Sequence, residues 1–119
     1  MARKRDLFEQ YLLDLDGRYF QLEAGYYAKF IFLVVPKSQE KPHGFNYSLT
    51  LHRKAGERIL GFDNAHAVPK RSGPAAKSKQ RREFDHKHKG NRTYQYEYID
   101  LTTLINDFWD EVDKALAKE

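Results

Sequence analysis

Two short stretches of this 119-residue chain gather side chains able to move protons. The first is Gly61-Phe62-Asp63-Asn64-Ala65-His66; the second is Phe84-Asp85-His86-Lys87-His88-Lys89-Gly90. In an extended chain successive side chains alternate between faces, so His86 and His88 share one with Phe84, and Asp85, Lys87 and Lys89 take the other. Two neighbouring imidazoles can cleave a phosphodiester without a metal. A neutral one accepts the 2′-hydroxyl proton and a protonated one donates to the leaving oxygen, while cations stabilise the charge on the phosphoryl oxygens. In that scheme His86 and His88 transfer protons, Asp63 and Asp85 orient an imidazole, and Lys87, Lys89 and Arg58 stabilise the transition state. The same His-x-His with Asp63 or Asp85 could instead hold a divalent metal. A His/Lys run in a basic segment is also, more simply, a solvated surface that attracts anions.

The charge distribution narrows the choice of partner. Between Lys70 and Arg92 stand nine Lys/Arg and two acids, so this segment carries +7 in a chain whose net charge is +4, and the remainder is at −3. One concentrated basic surface on a mildly acidic body points to a polyanion, and RNA suits the imidazole chemistry. Candidate nucleic-acid contacts are Arg58, Asn64, His66, Lys70, Arg71, Lys77, Lys79, Arg81, Arg82, Lys89 and Arg92. A non-catalytic module that binds nucleic acid or an acidic partner through Lys70 to Arg92 is the competing reading. Asp63-Asn64 has a structural alternative as well, because both residues cap turns through their own backbone. His43 and His52 have no assigned role. Tyr47 falls on an apolar face and belongs to the core. Tyr94, Tyr96 and Tyr98 could stack bases, although core or rim packing is the commoner use of such a stripe.

The elements that must position these groups follow from periodicity. Leu7, Phe8, Tyr11, Leu12 and Leu15 predict a short helix over about Asp6 to Asp14, capped by Asp6. Arg18 to Glu23 and Tyr26 to Val35 form a hairpin around Ala24-Gly25. The second of these strands is apolar on both faces, the pattern of a central strand covered on both sides. Phe45 to His52 alternates strictly and pairs with Arg58 to Phe62 through the turn at Lys54-Ala55-Gly56-Glu57. A basic loop at about 67–83 follows, then a strand over Thr93 to Ile99. Leu101, Leu104, Ile105, Phe108, Val112, Ala115 and Leu116 make the apolar stripe of a long closing helix, capped by Asp100 or Thr102. The expected fold is one α+β domain spanning residues 1–119: a small antiparallel sheet of about five strands with an N-terminal helix and a long C-terminal amphipathic helix.

Much else is poorly supported. The chain has no cysteine, which removes disulfides, thiolate nucleophiles and thiolate metal sites. No Gly-rich phosphate loop, nucleophile-elbow serine or helix–turn–helix pattern is present, and no cofactor is called for. No apolar run approaches the ~18–20 residues of a membrane span, and the charged first residues lead into no signal-peptide core, so a cytoplasmic location is expected.

At these two stretches the sequence resembles the TumE-type toxins of prokaryotic toxin–antitoxin systems. In that family a strand ends in Tyr/Phe-Asp-Asn, and a loop then leads to Asp-His-Arg/Lys-His followed by Gly. Here these read Phe62-Asp63-Asn64 and Asp85-His86-Lys87-His88 with Gly90. The hairpin from Leu22 to Pro36, the strand Gly44 to Leu49 and the closing helix also match the family layout, so the likeness covers the chain from about Tyr19 onward. What carries over is Asp63, Asn64, Asp85, His86, Lys87 and His88. The loop from His66 to Arg82 is longer and more basic than is usual in the family, and the Pro-His-His that follows Asp-Asn in some members is absent. The resemblance implies a toxin that acts on RNA and is paired with a DNA-binding antitoxin from the neighbouring gene.

Overall fold

A computed structural model of the chain describes residues 7–39, 42–64 and 85–119. The helix α1 spans Leu7–Leu13, and a tight turn leads into β1 (Tyr19–Gln21). Then come β2 (Tyr27–Val34), β3 (Phe45–His52), β4 (Arg58–Asp63), β5 (His86–Lys89), β6 (Arg92–Gln95) and the 18-residue α2 (Leu101–Lys118). The strands form one antiparallel sheet in the order β1-β2-β3-β4-β5-β6, each beside its neighbour in sequence.

The α+β class, the N-terminal helix and the long C-terminal helix are as expected; the strand count is six, not five. The additional strand is β5, which has no apolar residue to announce it. Lys87 and Lys89 supply its inward face, their ammonium groups 5.9 Å from the ring centres of Phe62 and Tyr94, and their aliphatic stems stand where apolar side chains would otherwise lie. Gly90, at φ 58°, takes the left-handed position needed in the two-residue loop between Lys89 and its partner Arg92. The strand expected over Thr93 to Ile99 ends at Gln95. Beyond it the Tyr96 amide still donates to the Asp85 carbonyl at 3.1 Å, and the Tyr96 and Tyr98 rings pack inward against Phe62 and Phe45.

One face of the sheet meets α2. Leu101, Leu104, Phe108 and Val112 are buried there against Phe30, Phe45, Leu49, Leu51, Leu60 and Phe62. Phe108 sits edge-on to both Phe30 and Phe62, 5.6 and 5.8 Å between ring centres. Each such ring is worth ~1.5–3 kcal/mol in removal from water, so this stripe fixes α2 on the sheet. Asp100 caps it, its Oδ1 accepting from the Thr103 amide at 2.7 Å.

No described element packs on the other face. The expectation that β2 is covered on both sides is therefore corrected: Ile31 and Leu33 are 40% and 59% exposed on the open face, while Ala28, Phe30 and Phe32 are buried on the closed one. An all-apolar strand reports the chemistry of both its faces and not what lies on them.

Candidate functional site

The two motifs meet as adjacent strands. Asp63 stands opposite His86 and Gly61 opposite His88, all on the open face. The His88 Nε2–H donates to Asp63 Oδ2 at 2.9 Å, and in that tautomer Nδ1 accepts from the Thr93 hydroxyl at 3.2 Å. His86 turns its Nδ1 toward the other carboxylate oxygen, Asp63 Oδ1, at 3.8 Å. That nitrogen is buried and has no hydrogen-bond partner among the described residues. The two rings are 6.1 Å apart, centre to centre. One carboxylate thus faces both imidazoles, leaving Nδ1 of His88 and Nε2 of His86 as the nitrogens on the sides away from it.

Gly61 matters through what it lacks. A β-carbon there would lie 3.4 Å from Nη1 of Arg58 and 3.5 Å from the Thr50 methyl. The guanidinium therefore lies in the space over Gly61, next to His88 across the ladder. An arginine in that place is a permanent cation with a fork of donors suited to a phosphate. A cavity of about 550 Å³ opens on Arg58, Lys89, Glu111 and the last turns of α2; the imidazoles do not line it.

The residue after or before each chemical group points the other way and is buried. Asn64 accepts from the Tyr47 amide at 2.9 Å and donates to the Phe45 carbonyl at 2.8 Å, so its side chain extends the β3–β4 ladder by one step. Asp85 accepts from the Tyr47 hydroxyl at 2.6 Å, and both its oxygens lie 3.2 Å from His43 Nε2. The His43 ring stacks on Tyr98 at 3.7 Å. Burial and the adjacent Asp85 carboxylate push the Tyr47 hydroxyl well above the ordinary tyrosine range, so it stays a donor.

Lys87 and Lys89 also face inward, to opposite oxygens of Glu111 on α2 at 3.0 and 2.9 Å. Partial burial alone would raise the Glu111 carboxyl, but the hydrogen bonds from Lys89 and Lys87 outweigh it and hold the group below the usual range. These contacts tie β5 to the helix.

Of the residues grouped by sequence, the fold brings together Asp63, His86, His88 and Arg58. It puts Asp85, Lys87 and Lys89 on the opposite side of β5 and buries Asn64 in the core. Arg92 is exposed at the start of β6. His66, Lys70, Arg71, Lys77, Lys79, Arg81 and Arg82 lie outside the described residues. Sequence reasoning missed Thr93, His43 and Glu111. Reading Gly90-Asn91 as a two-residue loop would have placed Thr93 opposite His88; nothing in the sequence marks His43 as the partner of a residue 42 positions away. Among the described residues no group of three or more histidines and acids is arranged to hold a metal ion.

A family model described as Toxin TumE matches residues 3–116. The chain belongs to the TumE toxin family. The match extends over nearly the whole chain, beyond the region from Tyr19 onward that carried the resemblance. No curated protein and no solved structure matches it. As a TumE-family protein it is the toxin component of a toxin–antitoxin system, with an antitoxin as its partner. Among the described residues no helix is long and apolar enough to cross a membrane.

Proposed function

We propose that this TumE-family toxin is a small ribonuclease, working on RNA in the cytoplasm by metal-independent acid–base chemistry and held in check by a DNA-binding antitoxin. The observation that carries this reading is the single carboxylate, Asp63, shared by two half-buried imidazoles on the sheet face away from α2, beside an arginine. His88, its Nε2 proton held by Asp63, accepts the 2′-hydroxyl proton at Nδ1, displacing the Thr93 hydroxyl. The freed 2′-oxygen attacks phosphorus, and the P–O5′ bond breaks as His86 in its protonated form donates to the leaving 5′-oxygen. The products are a 2′,3′-cyclic phosphate and a 5′-hydroxyl. Arg58 carries the charge on the phosphoryl oxygens. Asp63 fixes the orientation of both rings.

The test is cleavage of a short single-stranded RNA by the purified protein in excess EDTA. Replacing His86 or His88 with Ala is expected to lower the rate by ~10²-fold or more, the usual contribution of a positioned acid or base. Cleavage that survives both substitutions rejects the scheme, and cleavage abolished by EDTA favours the metal-dependent alternative. The +7 charge of Lys70 to Arg92 supports a second reading, a non-catalytic binding module. In that case neutralising Lys77, Lys79, Arg81 and Arg82 flattens the salt dependence of RNA binding in a protein that cuts nothing.

A further inference from the structure

The open face of the sheet is divided in two. Its β4–β5 half carries Asp63, His86, His88 and Arg58. Its β1–β2 half carries Tyr19, Ile31 and Leu33, which are 61%, 40% and 59% exposed. Between them β3 presents Asn46, Ser48, Thr50 and, at its far end, His52, whose ring stacks on Tyr27. The ladder registers put Ile31, Ser48, Asp63 and His86 in one row across four strands, and Lys29, Thr50, Gly61 and His88 in the next. At ~4.8 Å per strand spacing, Ile31 and His86 are ~14 Å apart. A helix is ~10–12 Å across with its side chains. Laid over Ser48 and Thr50, it meets Ile31 and Leu33 with one flank and, with the other, lies beside the imidazoles, whose side chains are only 15% and 21% exposed.

Exposed aliphatic side chains grouped on one face mark a surface meant for a protein. Tyr19 could stack a base, but Ile31 and Leu33 cannot, which favours a polypeptide over RNA at those two positions. The charge on the face also selects. Lys29, over the Tyr19 ring, and Arg58, over Gly61, lie on this face, and the carboxylate of Asp63 there already bonds His88. Acidic side chains are accordingly the complement.

We infer that the antitoxin silences this toxin by laying an apolar, acid-bearing segment on Tyr19, Ile31 and Leu33 across the open sheet face, so that the same segment covers His86 and His88. The inference uses the toxin's family membership and the register of the sheet, and it holds whether or not the site is a nuclease.

The experiment compares Leu33→Asp and Ile31→Asp with the wild-type chain, expressed alone and with the cognate antitoxin, and titrates the purified partners. Leu33→Ser is the second variant should a charge disturb folding. Growth arrest without antitoxin is expected to be unchanged, and antitoxin affinity to fall by about 30-fold or more, the size of a central interface contact, with rescue lost. An antitoxin affinity within about threefold of wild type overturns the inference. So does weakened RNA binding or growth arrest with antitoxin affinity intact, which assigns the strip to substrate. A changed oligomeric state with intact antitoxin affinity assigns it to a second copy of the chain and likewise overturns it. Affinity is read without turnover, so failure of the nuclease scheme leaves this result interpretable.

Discussion

Asp63 bonds His88 at 2.9 Å and stands directly opposite His86 on the neighbouring strand. A carboxylate so placed serves two rings at once, and its removal differs from the removal of either. Asp63→Asn keeps an acceptor for His88 but loses the second carboxylate oxygen that faces His86. RNA cleavage by this variant is expected to fall by ~10²-fold or more with little change in melting temperature. Equal activity in Asp63→Asn and wild type would remove the carboxylate from the mechanism.

Gly61 and Arg58 form a pair in which one leaves room for the other. Gly61→Ala places a methyl 3.4 Å from Nη1 of Arg58, which a flexible side chain can yield to. Gly61→Val cannot be met by so small a shift and displaces the guanidinium. The expected order of cleavage rates is wild type, Gly61→Ala, Gly61→Val, with Arg58→Ala close to the last. A Gly61→Val protein as active as wild type would show that Arg58 is not needed where it lies.

Asn64 predicts stability and not chemistry. Asn64→Ala leaves the Tyr47 amide and the Phe45 carbonyl without side-chain partners in a fully buried setting. The cost is ~2–6 kcal/mol at ~1–3 per orphaned group, measured by chemical denaturation. Asn64→Asp fares no better, since a carboxylate can accept from Tyr47 but cannot donate to Phe45.

Tyr47→Phe removes the 2.6 Å donor to buried Asp85 and leaves His43 as its remaining described side-chain hydrogen-bond partner. A loss of ~1.5–3 kcal/mol is expected for a hydrogen bond to a charged group. Because Asp85 leads directly into His86, the cleavage rate per folded molecule is expected to drop as well. A variant that is less stable but catalytically unchanged would separate the buried anchor from the imidazoles it precedes.

Glu111 gives the fold an acid limit. Its carboxyl is lowered in the folded protein from an ordinary value of 4.5, so the stability it contributes is complete above about that pH and is lost as the pH falls through the lower folded value. Glu111→Gln is expected to cost ~1–2 kcal/mol at neutral pH, with the gap to wild type closing in acid. A gap independent of pH would mean that the two lysine contacts do not contribute through charge.

The legible parts of this protein were those written in apolar periodicity. The stripe from Leu101 to Leu116 fixed α2, the alternation from Phe45 to His52 fixed β3, and the turn residues set both N-terminal hairpins, because burying apolar surface is the largest favourable term and leaves a period behind it. The facing of β5 was legible too, since alternation separates His86 and His88 from Lys87 whatever surrounds them. Its status as a strand was not. A run of His and Lys has no apolar signature, and its pairing depends on β4, more than 20 residues earlier. The open or closed state of each face of β2 was hidden for a similar reason, because sequence records side-chain chemistry but not the element that covers it. The division of labour within each motif was likewise decided only in three dimensions. Asp63 and Asp85 read alike as carboxylates, yet one faces the imidazoles and the other is buried under Tyr47 and His43. Which way a polar side chain points depends on partners brought from distant positions, and that information exists only once the sheet has closed against α2.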